Sequence, residues 1–267
     1  MRFGAMNFPV RPILDELDAI GALGMDYVEL TMDPPQAHYH DLRRQKRAIR
    51  NELDARGLGL VCHLPTFVHT ADLTESIRRA SLEEVLSSLE TAAELKAGKV
   101  VLHPSYIGGL AVFVPEQAKA LAMDTFDRVA RCAQTLGMTV CVENMFPRYQ
   151  PFVEPDDFKP VFEAFPQFKL VFDIGHAYMD DPTGNRVTGF LRCFGDRLAH
   201  VHISDNHGRQ DDHLPVGRGG IDYPSFVKDL CQIGYDGTFT LEIFSQNRQD
   251  IIESRQKLER MFADVKI

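Results

Sequence analysis

The sequence predicts a single α/β domain with the fold of a (β/α)8 barrel, also called a TIM barrel, over residues 1–267. Three observations support this prediction. The length of 267 residues suits such a barrel, which usually takes about 250 residues. Short β-rich segments alternate with longer segments of helical periodicity, and the number of strand segments is the eight that a closed barrel needs. No linker or shift in composition divides the chain.

The strand segments are short and rich in apolar and β-branched residues. They are expected near residues 3–7, 26–30, 58–63, 99–103, 138–143, 168–173, 197–203 and 237–243. The clearest helices are expected over Ile13–Leu23, Ser76–Leu95, Glu116–Leu136 and from about Asp250 to Phe262. Strands separated by helices pair in parallel through right-handed crossovers. The alternative is an open doubly wound sheet, which favours a glycine-rich turn after its first strand, where this chain has Asn7-Phe8-Pro9.

Composition and charge narrow the class of protein. Apolar residues make up 44% and charged residues 25%, as in soluble globular proteins. The chain has neither an apolar run of membrane-spanning length nor the N-terminal pattern of a signal peptide, so a cytoplasmic location is expected. Reduced core thiols are expected at five scattered cysteines, Cys62, Cys132, Cys141, Cys193 and Cys231. The net charge of −9 argues weakly against nucleic acid as a partner.

Seven of the predicted strands end in a histidine or a carboxylate. These residues are Glu29, His63, His103, Glu143, Asp173, His202 and Glu242. Successive members lie about one strand–helix unit apart, so all seven are expected at the C-terminal mouth of the barrel, where barrel enzymes carry their active sites.

A divalent metal explains this ring better than unrelated loop contacts. One such residue alone would usually be a cap or a loop contact, but several carboxylates and histidines at close range would repel one another without a cation. His176 lies one turn after Asp173, and Asp211 and His213 are two residues apart, so both pairs can add ligands. Histidine and carboxylate ligands without thiolates suit Zn, Mn, Co or Mg.

Three segments resemble a known superfamily. They are Leu170-Val171-Phe172-Asp173-Ile174-Gly175-His176-Ala177, then His202-Ile203-Ser204-Asp205-Asn206 with Asp211 to Gly217, and finally Leu241-Glu242-Ile243. Together they resemble the xylose isomerase-like TIM barrels, a superfamily that holds sugar and sugar-phosphate isomerases and epimerases and also endonuclease IV. The resemblance covers essentially the whole chain. It is specific for the superfamily and weak for any particular substrate.

The resemblance implies roles for individual residues. Ketose 3-epimerases imply one metal held by Glu143, Asp173, His202 and Glu242, with the two glutamates as acid and base around an enediolate and with His176 polarising the neighbouring hydroxyl. Endonuclease IV implies a zinc cluster with further ligands, and the matching positions are His63, His103, His176, Asp211 and His213. Both ligand sets are present, so between one and three divalent ions are expected.

Two departures from the endonuclease pattern favour sugar chemistry: the seventh strand ends in His-Ile-Ser-Asp-Asn, and Glu29 follows the sugar branch. A third departure, Arg218, stands where both branches commonly carry Glu, so the loop around it matches neither pattern. The predicted function is therefore a metal-dependent isomerase or epimerase of a sugar or sugar phosphate, with substrate contacts expected at Glu29, Asn206, Arg209 and Arg218. The two arginines are either a phosphate-binding pair or solvated loop residues.

Two other classes of function stay open beside this one. One is a zinc phosphodiesterase that acts on abasic DNA, and the other is a barrel that only stores or senses a metal-bound ligand. The resemblance also implies a homodimer.

Overall fold

A computed structural model describes residues 1–149, 151–181 and 183–265, and its strands form one closed parallel barrel in sequence order. The strands are β1 (Arg2–Met6), β2 (Tyr27–Thr31), β3 (Gly59–His63), β4 (Val100–Leu102), β5 (Val140–Glu143), β6 (Lys169–Asp173), β7 (Leu198–Ile203) and β8 (Thr238–Leu241). Pairing of β1 with β8 closes the ring. The predicted fold class is confirmed, and the alternative of an open sheet is wrong.

Helices connect the strands and cover the outside of the barrel. They are α1 (Ile13–Ala22), α2 (Tyr39–Arg56), α3 (Glu75–Glu94), α4 (Pro115–Leu136), α5 (Pro155–Ala164), α6 (Ile174–Tyr178), α7 (Asn185–Phe194), α8 (Tyr223–Gln232) and α9 (Gln249–Val265). Helix α4 shows how the sequence sets the bounds. Pro115 occupies the first turn of this helix, where backbone N–H groups have no acceptor within the helix, and Gly137 ends the helix with a φ of 66°. None of the described helices has the length and apolar character that a membrane crossing requires.

The barrel interior is built in layers that position the site. Tyr27, Val61, Val101, Cys141 and Val171 form a buried cluster of their own, apart from the larger core between the strands and the helices. Side chains alternate across a strand, so the inward residue two positions later lies one level nearer the mouth. On β3 to β6 this alternation raises four polar residues above the apolar cluster, namely His63, His103, Glu143 and Asp173.

Strand β2 departs from the prediction. It continues to Thr31, and its register pairs Glu29 with Val61 and Thr31 with His63. Glu29 therefore lies level with the apolar layer rather than at the mouth. His200 on β7 pairs with Val171 and occupies the same deeper level. The expectation that β2 ends at Glu29 is wrong by two residues, and this difference moves the carboxylate down by one layer.

All five cysteines are free thiols, as expected. Cys62 and Cys141 are fully buried in β3 and β5, and burial raises the pKa of the Cys141 thiol to about 12.

Candidate metal centre

A cavity of about 370 Å³ opens at the C-terminal ends of the strands. Seven of the nine predicted metal ligands line it, and these are His63, His103, Glu143, His176, Asp211, His213 and Glu242. The other two, Asp173 and His202, are fully buried behind this lining. The structure therefore brings all nine residues to one place.

His202 lies at the centre of the first group of ligands. Its Nδ1 is 3.2 Å from Glu143 Oε1, 3.0 Å from Glu242 Oε1 and 3.8 Å from Asp173 Oδ2. Glu143, Asp173 and His202 each offer a ligand atom within 4.8 Å of the others. Glu242 directly follows β8 and closes the group from the other side. These four residues are the ones that the resemblance to ketose 3-epimerases assigned to a single metal.

The second group shares Glu143 with the first. Its Oε2 is 3.4 Å from His63 Nε2 and 3.1 Å from His103 Nε2, and the three residues again offer ligand atoms within 4.8 Å of one another. The two oxygens of one carboxylate thus face two different groups of ligands. Glu143 is in position to bridge two cations.

Asp211 joins two further histidines into an outer cluster. Its Oδ2 is 3.3 Å from His176 Nε2 and 2.9 Å from His213 Nε2. The short helix α6 places His176, because Asp173 caps this helix and accepts a hydrogen bond of 2.7 Å from the His176 backbone N–H. The Nδ1 of His176 bonds to the Asn144 carbonyl oxygen at 2.9 Å, which directs its Nε2 towards Asp211.

Burial and mutual contact shift the pKa values of these groups strongly. Burial lowers the pKa of His63, but its hydrogen bond to Glu143 outweighs that effect and raises it to about 9. The pKa of His213 is raised to about 9 in the same way, against burial, by Asp211. Burial raises the pKa of Glu242 to about 7. Glu143 is equally buried, yet His202 and His103 hold its pKa well below its usual range.

Two carboxylate oxygens support the presence of a cation. Asp173 Oδ2 and Asp211 Oδ1 are buried, and neither finds a hydrogen-bond donor among the described residues. Burying a carboxylate oxygen without a partner is costly, and buried charges are usually paired or coordinate a metal. The combination of imidazole and carboxylate donors without thiolates suits Zn, Mn or Co, and the residues therefore fit a divalent ion.

Beneath this centre, Glu29 supports His202. Its Oε1 is 3.0 Å from His202 Nε2 and its Oε2 is 2.7 Å from His200 Nε2, and Oε2 also accepts a hydrogen bond from the Thr240 hydroxyl. Burial raises the pKa of Glu29, but the opposing effect of His202 and His200 is larger and holds this pKa well below its usual range. An ionised Glu29 accepts the Nε2 proton of His202, which directs Nδ1 towards Glu143 and Glu242.

None of the four predicted substrate contacts lines the cavity. Glu29 has no exposed surface because β2 places it one layer too deep. Asn206 is buried as well, and its amide joins Gly175 and Gly208. Arg209 is exposed to solvent, and Arg218 forms an ion pair of 2.8 Å with Asp250. Glu29 and Asn206 therefore hold neighbouring groups of the site in place, and both arginines are exposed in the loop between β7 and α8, outside the cavity lining.

Sequence reasoning missed several residues of the site. His200 stands two positions before His202 on the same strand, so strand alternation could have placed it in the interior. Asn7, Thr31 and Asp33 line the cavity beside β1 and β2. The cavity is also lined by Phe67, whose place after His63 suits an aromatic side chain in a pocket, and by Phe8, Phe146 and Phe244, which no motif singles out. They come from four separate loops, and no local sequence pattern connects them.

A closed parallel barrel with buried histidine and carboxylate clusters at its strand ends is a (β/α)8 protein whose site is consistent with metal binding. Residues 17–261 match the family described as xylose isomerase-like TIM barrel, and the chain belongs to this family.

Relatives of the chain include proteins of known and unknown activity. Fructoselysine 3-epimerase of Escherichia coli O157:H7 is 24% identical over 250 residues, which cover 90% of this chain and 89% of that protein. The uncharacterized protein MJ1614 of Methanocaldococcus jannaschii is 33% identical over 174 residues, or 64% of this chain and 65% of that protein. A crystal structure of a D-tagatose 3-epimerase-like protein aligns with a TM-score of 0.89 at 25% identity and covers 100% of this chain and 98% of that one.

Proposed function

We propose that this protein is a divalent-metal-dependent epimerase or isomerase of a keto-sugar. The observation that carries the proposal is the convergence of Glu143 and Glu242 on His202 in one cavity, with Asp173 behind them. The similarity to fructoselysine 3-epimerase and to a D-tagatose 3-epimerase-like protein supports the choice of a keto-sugar. Proton transfer between two carboxylates is the reaction that such an arrangement suits best.

Each residue of the site has a role in the proposed proton transfer. A divalent cation held by Glu143, Asp173, His202 and Glu242 would polarise the substrate carbonyl and its neighbouring hydroxyl as a Lewis acid. One of the two glutamates removes the proton from the carbon beside the carbonyl, and an enediolate results. The other glutamate returns a proton to the same carbon from the opposite face. His176 Nε2 lies at the cavity wall and is in position to hydrogen-bond a hydroxyl group of the sugar.

The electrostatic surroundings support different roles for the two glutamates. The pKa of Glu242 is raised to about 7 by burial, whereas the pKa of Glu143 is held low by His202 and His103 despite its burial. Pairs of carboxyl groups whose pKa values are pushed apart commonly serve as acid and base in one reaction. In the metal-free protein, Glu143 is therefore the more readily ionised of the two glutamates.

The test is exchange of the substrate's carbon-bound proton with solvent deuterium. A panel of ketoses, with D-fructose and D-tagatose first, is incubated with metal-loaded protein in D2O and followed by proton NMR. We expect one deuterium at the carbon beside the carbonyl of at least one ketose. Glu242→Gln should slow this exchange about 10²- to 10⁴-fold, the usual contribution of a general acid or base.

Arg218→Ala is the matched control, because Arg218 pairs with Asp250 outside the cavity and its loss should leave exchange at the wild-type rate. Full exchange in Glu242→Gln would remove this glutamate from the mechanism. Absence of exchange from every ketose would contradict the proposed function.

A phosphodiesterase that acts on abasic DNA is the second candidate. The specific observation in its favour is the shared Glu143 and the outer cluster at Asp211, which together offer donors for more than one cation. Against it, no lysine or arginine is found among the described residues that line the cavity. The net charge of −9 also opposes binding to a polyanion. Cleavage of an abasic duplex by the zinc-loaded protein, without ketose exchange, would favour this candidate instead.

A further inference from the structure

We infer that the keto-sugar bound here is uncharged and carries an apolar substituent about the size of a phenyl ring. This inference rests on the proposed function and narrows its substrate class. Its basis is the set of four phenylalanines at the mouth of the cavity, Phe8, Phe67, Phe146 and Phe244, here called the phenylalanine wall.

The phenylalanine wall is assembled from four loops, and three of its four rings are exposed to solvent while Phe146 is half-buried. Phe8 follows β1, Phe67 follows β3, Phe146 follows β5 and Phe244 follows β8. Phe67 is 84% exposed, Phe244 49% and Phe8 44%. Large apolar side chains exposed together around a cavity usually mark a binding surface, because solvent contact gives them no stability. Four rings placed around one opening suit a bound ligand that extends out of the cavity between them.

The phenylalanine wall begins where the metal centre ends. The Phe244 ring centroid is 4.3 Å from that of His213 and 6.1 Å from that of Phe8, and the Phe146 ring lies 5.2 Å from His176. When the carbonyl group of a sugar lies beside Glu143 and Glu242, the rest of that sugar therefore lies close to the aromatic rings of the wall. Such rings bind apolar or aromatic groups by area burial and by ring contact.

The charges of the cavity argue against a phosphate group on the substrate. The described lining residues include three carboxylates of the metal centre but no lysine or arginine. Arg218 is paired with Asp250, and Arg148 is exposed and outside the lining. Arg11 and Arg248 line an adjoining cavity that shares Phe8 and Phe244, and there they lie 3.8 and 2.5 Å from the buried carboxylate of Glu16. A phosphate would face carboxylates here without the arginine or lysine that usually pairs with it.

Asn7 supplies a donor for the sugar at the inner end of the cavity. It is 1% exposed, and its Oδ1 accepts a hydrogen bond of 2.7 Å from the Thr31 backbone N–H, which fixes the orientation of the amide. Its Nδ2 has no acceptor among the described residues, although Asn7 lines the cavity. A buried donor without a partner is costly, and a carbonyl or hydroxyl oxygen of a sugar would satisfy it. The cavity thus combines a polar inner end with an apolar mouth.

The test compares the affinities of matched ligands by calorimetry on the Mn²⁺-loaded protein. The probes are D-fructose, D-fructose 6-phosphate, 1-deoxy-1-anilino-D-fructose and 6-O-phenyl-D-fructose, so that the ring is offered at either end of the sugar. We expect at least one phenyl derivative to bind about tenfold or more tighter than D-fructose, because burial of part of a phenyl ring contributes at least that much. D-fructose 6-phosphate should bind no tighter than D-fructose.

Variants in the exposed rings check that the preference arises from the wall. Phe67→Ala should reduce the preference for the phenyl derivative at least about threefold, since a ring contact contributes that much. Phe113→Ala is the matched control, because Phe113 is 78% exposed and lies outside the cavity lining. It should leave the preference unchanged. The inference is overturned if neither phenyl derivative binds better than D-fructose, or if the phosphate ester binds tightest.

Deuterium exchange in the same samples separates this inference from the proposed function. Exchange without any preference for the phenyl derivatives would remove the inference and leave the proposed function in place. A preference for the phenyl derivatives without exchange of any probe would remove the proposed function, and the inferred substrate class with it.

Discussion

Replacement of Glu29 by glutamine tests whether a carboxylate beneath the centre sets the orientation of a metal ligand. Glu29 is fully buried, and its two oxygens receive the Nε2 protons of His202 and His200 at 3.0 and 2.7 Å. The side chain of Glu29→Gln keeps the shape of glutamate but replaces one of these acceptors with an N–H donor. One histidine must then face a donor, lose its hydrogen bond or change its tautomer.

The size of the effect follows from this geometry. Leaving one buried donor without its acceptor costs about 1–3 kcal/mol in the free energy of unfolding. If His202 changes its tautomer, its Nδ1 carries the proton and no longer offers a lone pair to a cation beside Glu143. The loss of such a supporting contact commonly weakens metal binding about 10- to 100-fold. We expect Glu29→Gln to show both effects while the barrel remains folded.

Two measurements are needed. Titration with Mn²⁺ against a competing chelator gives the metal affinity, and the nitrogen-15 shifts of His202 in the Zn²⁺-loaded protein show which ring nitrogen carries the proton. Thr240→Val is the control, because it removes a hydrogen bond to Oε2 of Glu29 and leaves Oε1 bonded to His202. It should lower stability with little change in metal affinity. Wild-type affinity together with an unchanged tautomer in Glu29→Gln would refute the reasoning.

Two further predictions concern protons and the outer cluster. Carboxylates raise the pKa values of His63 and His213 to about 9, so both histidines are protonated at pH 7 in the metal-free protein. Their contribution to the free energy of unfolding is therefore lost as the pH rises through about 9. A histidine must be neutral to bind a metal, so metal uptake at pH 7 should release protons and tighten towards pH 9, as calorimetry in buffers of different ionisation enthalpy can show. Uptake without proton release would exclude these two ligands. Asp211→Asn should remove the carboxylate between His176 and His213 and lower the zinc content per chain, and an unchanged zinc content by elemental analysis would contradict a metal at the outer cluster.

Much of the fold could be predicted from local sequence patterns. Helix α4 illustrates this, since its periodicity predicts residues 116–136 and the structure has Pro115–Leu136, ended by Gly137. The nine candidate ligands could be placed at one mouth because each closes or follows a strand or lies in a loop just beyond one. In a parallel barrel, all strand ends of one kind meet at the same face.

The depth of a side chain depends on register, which local patterns do not encode. Glu29 stands near a strand end in the sequence, but pairing with β3 places it level with Val61. The same limit applies to Arg218, whose ion pair with Asp250 spans 32 residues, and to the phenylalanine wall, which joins loops from both ends of the chain. These features arise from tertiary packing and become visible only when the barrel closes.

The most direct test of the central claim is proton exchange measured as a function of bound metal. The protein is freed of metal with a chelator, restored stepwise with Mn²⁺ or Co²⁺, and assayed for deuterium incorporation into a ketose at each ratio of ion to chain. We expect no exchange in the metal-free protein and a rise that follows occupancy of the group formed by Glu143, Asp173, His202 and Glu242, with no rise in Asp173→Asn. Undiminished exchange in the metal-free protein would contradict this claim.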